Sequence, residues 1–186
     1  MEIGFPGGYG FYGVADILSG EANPSGHLTD TYTVTNANSP AAQNFGNYEW
    51  TNADPSVNIN AEEVEAEDIY TGYKYYETRY ADTVLGQGNA DATVGSSTGK
   101  AWNYDDEVSY PFGYGRFYTT FEQTLKSVDV DLANRTVTAE VDVKNTGDVA
   151  GKDVVQLYTS VPYTDYDVEN KVKNQQYSFS TMKKQI

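Results

Sequence analysis

The sequence lacks cysteine and contains a single histidine, His27. Without cysteine the chain can form neither a disulfide bond nor a cysteine-based zinc site, and one histidine alone is a poor basis for a zinc site. His27 also lies too close to Ser25 along the chain to form the usual nucleophile–base pair of a serine hydrolase. We therefore predict no metal, no cofactor and no triad chemistry.

Basic residues and long apolar runs are also scarce. The chain has 12 Lys and Arg against 27 Asp and Glu, for a formal net charge of −15. Nucleic acids and anionic membrane surfaces would repel such a chain. No apolar run approaches the roughly 20 residues that span a bilayer. The sequence predicts a soluble acidic protein with neither a nucleic-acid nor a membrane partner.

The N-terminus has no basic region followed by an apolar core, so no signal peptide is predicted. If the chain is the tail of a longer protein, however, the targeting information would lie upstream. The absence of cysteine fits a cytosolic protein and an exported bacterial protein equally well. Localisation therefore stays open between the bacterial cytoplasm and secretion.

What the chain does contain is enough apolar material for packed cores, at 39% hydrophobic and 14% aromatic residues. Apolar residues at helical spacing predict a helix over about residues 9–19, with Gly20 as its left-handed C-cap. The alternating pattern of side chains over residues 27–34 predicts an edge strand. Residues 35–68 are polar and acidic, which indicates a solvated loop or short helix, and no D-x-D-x-D-G spacing suggests calcium binding.

Residues 69–80 alternate with period two and carry aromatic rings on both faces, which predicts a covered strand. Glu77 follows the run of tyrosines in this segment. A carboxylate among aromatic rings has a raised pKa, which suits acid catalysis. The alternative interpretation, which we favour, is that Glu77 forms a structural ion pair with Arg79 or Lys74.

Residues 86–106 are rich in glycine and serine, which predicts a mobile loop. Gly86 and Gly88 do not form a nucleotide-binding fingerprint, because no strand–helix unit surrounds them. Trp102 and Tyr104 stand at the end of the loop. They could stack on a sugar ring at the rim of a cleft, but anchoring of the loop to the body of the protein is the favoured interpretation.

From about Phe121 onward the sequence has the period-two pattern of short β-strands. It predicts strands around residues 128–132, 137–143 and 154–158 and a turn at Asn134-Arg135. A fibronectin-like sandwich needs about seven strands in roughly 100 residues. Only about 65 residues follow Phe121. The pattern therefore predicts an incomplete antiparallel sandwich.

The stretch Tyr110–Phe121 combines Pro111, Gly113 and Gly115 with closely spaced aromatic rings, as expected of a kinked segment packed between two bodies. It resembles the junction between the α/β sandwich domain and the fibronectin type III-like domain of family 3 glycoside hydrolases, the β-glucosidase and β-xylosidase group. Three further regions resemble the same family in the same order: Gly4–Gly10 with Val14–Gly20 and Asn23–Gly26, Ile69–Glu77, and Val143–Tyr158.

This resemblance implies an α+β, mainly β chain: the remnant of an α/β sandwich domain (1–120) followed by a partial fibronectin III-like β-sandwich (121–168). In that family the catalytic aspartate nucleophile lies on a preceding barrel and the acid/base glutamate also lies upstream. The resemblance thus implies no catalytic residue in this chain, and leaves Glu77, Trp102 and Tyr104 as candidates for the rim of the substrate cleft.

Two functional hypotheses follow. In the first, the chain is a non-catalytic C-terminal portion of a retaining β-glycosidase that hydrolyses carbohydrate, and its packing partners are barrel and sandwich-domain segments outside this sequence. In the second, it is a stand-alone β module that binds carbohydrate or protein. Residues 169–186 turn basic and diverge from the family pattern. We interpret this tail as the product of a frameshift.

Overall fold

A computed structural model describes residues 3–46, 56, 67–88, 90–91, 93–174 and 178–184. The chain is a mixture of helix and strand. It forms two compact units, the first made of Met1–Leu28, Gly113–Tyr158 and Phe179–Ile186, and the second of Thr29–Phe112 and Thr159–Ser178. The chain passes from the second unit to the first inside the aromatic stretch Tyr110–Phe121, between Phe112 and Gly113.

The elements follow one another along the described chain in this order: α1 (Gly7–Ser19), β1 (Tyr32–Thr33), a 3-10 turn (Asn36–Asn38), α2 (Pro40–Asn44), α3 (Tyr73–Thr83), α4 (Tyr104–Glu107), β2 (Val108–Tyr110), β3 (Phe121–Asp131), β4 (Thr136–Asn145), β5 (Val154–Thr159), α5 (Asp165–Glu169) and β6 (Ser178–Lys184). None of the described helices is long and apolar enough to cross a bilayer.

The first unit begins with α1, which confirms the predicted helix. Gly20 ends it with φ 84°, and its N–H bonds to the carbonyl of Ile17, as a left-handed cap requires. All of α1 is described, yet none of its residues is buried. Tyr9, Tyr12 and Leu18 are 88%, 72% and 70% exposed. The helix therefore presents apolar side chains to water.

A long hairpin follows in the same unit. β3 and β4 pair antiparallel from Phe121–Asn145 to Asp131–Thr136, with an irregularity between Leu125 and Ser127. The predicted turn is confirmed: Arg135 has φ 54°, and Asp131 accepts hydrogen bonds from the backbone and side chain of Asn134. β5 pairs with β6 in a separate two-stranded sheet.

The hairpin leaves apolar side chains exposed. These side chains belong to Leu125, Val128, Val130, Leu132 and Val137. In a sandwich, one face of such a sheet would be covered by a second sheet.

Hydrogen bonds within the first unit hold residues 23–28 to the start of the β region. Asn23 accepts from the N–H of Tyr118 and donates to the carbonyl of Ala150. Leu28 exchanges two 2.8 Å backbone bonds with the 113–114 segment. Gly113 has φ 79°, a left-handed conformation that favours glycine, and an added Cβ would lie 2.7 Å from Nε2 of Gln156.

Two sequence predictions in the second unit are wrong. Residues 69–80 do not form a strand, because α3 occupies most of this segment and begins after Gly72, which has φ 55°. Tyrosines at nearly every position satisfy a period of two and a period of 3.6 equally, while Lys74, Glu77, Arg79 and Ala81 favour helix. The predicted edge strand over 27–34 is only the two-residue β1.

The core of the second unit is small. Tyr76 from α3, Trp102 and Val108 are buried together, with Tyr75, Tyr80 and Tyr104 packed against them. β1 pairs antiparallel with β2, matching Tyr32 with Tyr110 and Thr33 with Val108. This short ladder fixes the segment that carries Trp102 and α4 against the chain around residue 32.

The predicted acidic loop at 35–68 is only partly described. Its first part contains the 3-10 turn and α2, which is N-capped by Ser39. The acidic residues Glu62, Glu63 and Glu65 lie outside the described residues. Asp68, at the end of the run, pairs with Lys173 at 3.0 Å.

Candidate functional site

The sequence candidates Glu77, Trp102 and Tyr104 lie in one cluster of the second unit. Glu77 is on α3, one residue after the buried Tyr76 and three before Tyr80. Trp102 precedes α4, and Tyr104 is the first residue of that helix. Asn103 between them caps α4 by accepting from the N–H of Asp105. The middle of α3 and the start of α4, with the residue just before its cap, thus bring the three side chains together.

A hydrogen bond joins Glu77 to Tyr104. The Tyr104 hydroxyl donates to Glu77 Oε1 at 2.6 Å. Tyr104 also packs edge-on against Tyr80 and Trp102, with ring centroids 5.4 and 6.1 Å away. The interpretation of Glu77 as the partner of Arg79 or Lys74 is therefore wrong, because its partner is a neutral phenol on another helix.

Burial shifts the proton affinities in this cluster. It raises the pKa of Glu77 above its ordinary value, and the hydrogen bond from Tyr104 offsets part of that rise. Burial, followed by the bond to Glu77, raises the pKa of Tyr104 as well. Burial also raises the pKa of Tyr76 to about 12. The site therefore holds neutral tyrosines around one carboxyl group that keeps its proton to a higher pH than usual.

Trp102 is 3% exposed, so its ring is packed inside the unit. The Arg79 guanidinium lies 5.6 Å from the centre of the indole ring, within the range of a cation–π contact. This placement agrees with the interpretation that Trp102 and Tyr104 anchor the preceding loop. A role for Glu77, Trp102 and Tyr104 at the rim of a substrate cleft stays a prediction.

Two charged side chains, Arg79 and Glu107, hold the loop before Trp102 in place, and no sequence motif marks them for this role. Arg79 Nη2 donates to the carbonyls of Asp91 and Val94, at 3.1 and 2.9 Å. Glu107, 4% exposed, accepts from the N–H of Ser97 at 2.6 Å. Glycine and serine content predicted mobility for this segment, but long-range hydrogen bonds hold it to α3 and α4.

The described residues contain no group of three or more His, Cys, Asp or Glu that could hold a metal ion. What the cluster can do chemically is hold the pKa of the Glu77 carboxyl above its ordinary value in an aromatic surrounding. A retaining glycosidase needs two carboxyl groups about 5 Å apart. The cluster brings together one carboxyl, a phenol and an indole.

Comparison with known proteins places the chain. No model of a protein family matches it. It is 33% identical to probable beta-glucosidase H of Aspergillus flavus over 82% of this chain and 14% of that protein. It is 34% identical to beta-glucosidase BoGH3A of Bacteroides ovatus over 85% of this chain and 17% of that protein. A beta-glucosidase structure from Paenibacillus barengoltzii matches with a TM-score of 0.67 and 29% identity, over 95% of this chain and 15% of that one.

The chain belongs to the family 3 glycoside hydrolases. It spans about one sixth or less of the length of these relatives, between 14% and 17%. The match to this family confirms the resemblance carried by the four sequence regions. Within the family the chain is a fragment.

Few apolar side chains are buried in either unit. The described residues bury only four hydrophobic side chains, Tyr76, Ala81, Trp102 and Val108. Apolar side chains on α1 and on the β3–β4 hairpin are exposed.

Proposed function

We propose that this chain is a non-catalytic C-terminal portion of a family 3 β-glycosidase and that it braces the domains of the enzyme that carry the catalytic groups. The observation that carries the proposal is α1, a regular helix of 13 residues that buries none of them. A helix with exposed apolar side chains gains most of its stability by packing them against another element.

The β region supports a finer proposal about the fold. β3, β4 and β5 are the opening strands of a fibronectin III-like sandwich over residues 121–168, and the chain before it, 1–120, is the end of an α/β sandwich domain. The antiparallel hairpin with uncovered apolar side chains fits a sheet whose partner sheet is incomplete. Residues 169–186 remain, in this proposal, a divergent tail produced by a frameshift.

The reaction of the intact enzyme is proposed from its relatives. Those relatives are β-glucosidases by name. We infer that the parent enzyme hydrolyses β-linked glucosides with two carboxylates that lie outside this chain. The carbohydrate substrate and the barrel and sandwich-domain segments are then its partners.

A chimera tests the bracing role. The matching segment of Bacteroides ovatus BoGH3A is replaced by residues 3–163 of this chain, and hydrolysis of a chromogenic β-glucoside is measured. We expect activity in the chimera and none in BoGH3A that lacks the segment. A stand-alone binding module would not restore activity, so a chimera that melts cooperatively yet is no faster than the truncated enzyme would contradict the proposal.

A pair of matched variants shows whether the exposed apolar side chains of α1 are responsible for the activity of the chimera. The triple variant Tyr9→Ser, Tyr12→Ser and Leu18→Ser removes exposed apolar side chains from α1 inside the chimera. It is expected to lower activity and melting temperature. The substitution Phe45→Ser removes an equally exposed aromatic side chain from the end of α2 and should leave both unchanged.

A further inference from the structure

A cavity of about 330 Å³ lies within the second unit, apart from the Glu77–Tyr104 pair. Its described lining comes from the chain around β1 and α2 and from the start of α3. The side chains that matter for its chemistry are those of Asp30, Thr31, Asn36, Glu67, Tyr70 and Tyr76. The volume is at the small end of the roughly 300–1,000 Å³ range of ligand sites.

One hydroxyl group at this cavity has unmet hydrogen-bonding capacity. Thr31 Oγ1 is buried and has no hydrogen-bond partner. Tyr76, which is 5% exposed, also lines the cavity. Buried polar groups are nearly always paired, so the unpaired Thr31 hydroxyl indicates a missing partner.

The charged groups at the cavity favour a ligand that donates hydrogen bonds. Asp30 and Glu67 line it, and Asp30 uses Oδ1 to accept from the N–H of Thr31 at 2.8 Å. The described lining contains no Lys or Arg. An anionic ligand would therefore meet only like charge, whereas carboxylates are strong acceptors for hydroxyl and ammonium groups.

The remaining lining side chains suit a ring-shaped neutral ligand. Tyr70 and Tyr76 supply aromatic surface, and Asn36 receives a bond from Thr33 on its amide oxygen, which leaves the amide nitrogen as a donor. A single metal ion would fill little of the volume. The combination of acceptors, hydroxyls and aromatic rings matches a compact ring that carries several hydroxyl groups.

We propose that this cavity binds a single pyranose unit, with hydrogen bonds from its hydroxyls to Asp30 and Glu67 and contacts to the hydroxyls of Thr31 and Tyr76. The site is separate from the chemistry proposed above, and it would be an accessory sugar site on the second unit. Its loss would leave the bracing role intact, since the chimera measures hydrolysis and the experiment below measures binding.

The experiment is a titration of the full chain with D-glucose, in which heteronuclear NMR monitors the backbone amides at each sugar concentration. We expect saturable shifts confined to the amides near residues 30–41 and 67–76. Thr31→Val and Tyr76→Phe keep the shape of each side chain and remove one hydroxyl, so each should weaken binding about tenfold. Thr136→Val on β4 is the matched control and should bind as the wild type does.

Sugars of different charge sharpen the test. D-glucosamine, with an ammonium group, should bind at least as tightly as D-glucose, and D-glucuronate should bind most weakly because Asp30 and Glu67 repel it. Equal binding of glucuronate and glucose would overturn the proposal. So would shifts scattered over both units, binding that neither hydroxyl variant weakens, or shifts at this cavity caused by calcium alone.

Discussion

The hydroxyl of Tyr104 on α4 donates a 2.6 Å hydrogen bond to Glu77 on α3. This contact closes the small aromatic core of the second unit on one side. It couples the position of the segment that carries Trp102 to the protonation of a single carboxyl group.

Removal of the phenol tests that coupling. Tyr104→Phe should lower the free energy of unfolding by about 1–2 kcal/mol, because the half-buried Glu77 carboxyl loses its hydrogen-bond donor. Chemical denaturation monitored by tyrosine and tryptophan fluorescence measures it. Tyr166→Phe, at an exposed position of α5, should change stability by less than about 0.5 kcal/mol. Equal effects of the two substitutions would show that the bond contributes nothing.

The raised pKa of Glu77 predicts a pH dependence with a definite sign. Its pKa in the folded chain lies above the ordinary value of 4.5, so the folded state binds the proton more tightly than the unfolded state. The contribution to stability is full below that ordinary value and is lost as pH rises through the folded pKa. The free energy of unfolding should therefore fall with rising pH in this window.

Glu77→Gln should remove that part of the slope, because glutamine does not titrate. The measurement is denaturation at a series of pH values from about 4 upward, compared between the wild type and the variant. Glu169→Gln at the exposed end of α5 serves as the control for the loss of one negative charge. If the variants Glu77→Gln and Glu169→Gln give the same pH profile, the assignment is wrong.

Trp102 should be the largest single contributor to the second unit. Trp102→Ala is expected to cost about 3–5 kcal/mol, because it leaves a cavity beside Tyr76 and Val108. Leu132→Ala, at a side chain that is 84% exposed, should cost little. The free energy of unfolding is measured for both variants by chemical denaturation. If Trp102→Ala lowers it no more than Leu132→Ala does, Trp102 does not belong to the core.

Self-association follows from the exposed apolar side chains of α1. The isolated chain should form oligomers in sedimentation velocity, since exposed apolar patches and open strand edges pair readily. The triple variant Tyr9→Ser, Tyr12→Ser and Leu18→Ser should shift the distribution toward monomer, while Tyr166→Ser should not. A monodisperse wild-type monomer would show that these faces need no partner.

The secondary structure predicted from the sequence is correct where the apolar residues follow a single period. The apolar spacing of α1, the Gly20 cap and the β3–β4 hairpin with its turn at Arg135 are all present as predicted. It failed at 69–80, where tyrosines occupy so many positions that aromatic content carries no period. There the helix propensity of Lys74, Glu77, Arg79 and Ala81 was the better guide.

The sequence predicts which residues belong to the candidate site, but it does not predict which contacts those residues make. Glu77, Trp102 and Tyr104 do lie together, but the partner of Glu77 is a phenol 27 positions away in the sequence. Arg79 and Glu107 hold the 91–98 loop through its backbone, and bonds to backbone atoms leave no pattern in the sequence. The role of Thr31 could not be predicted, because a lone threonine in a predicted edge strand gives no sign of a cavity.

The central claim is that this chain braces a β-glycosidase whose catalytic carboxylates lie elsewhere. The most direct measurement is the release of a chromophore from p-nitrophenyl β-glucoside by the purified chain, after far-UV circular dichroism has shown it to be folded. The account predicts no release above that in buffer. Release that co-purifies with the chain and is abolished by Glu77→Gln would contradict it.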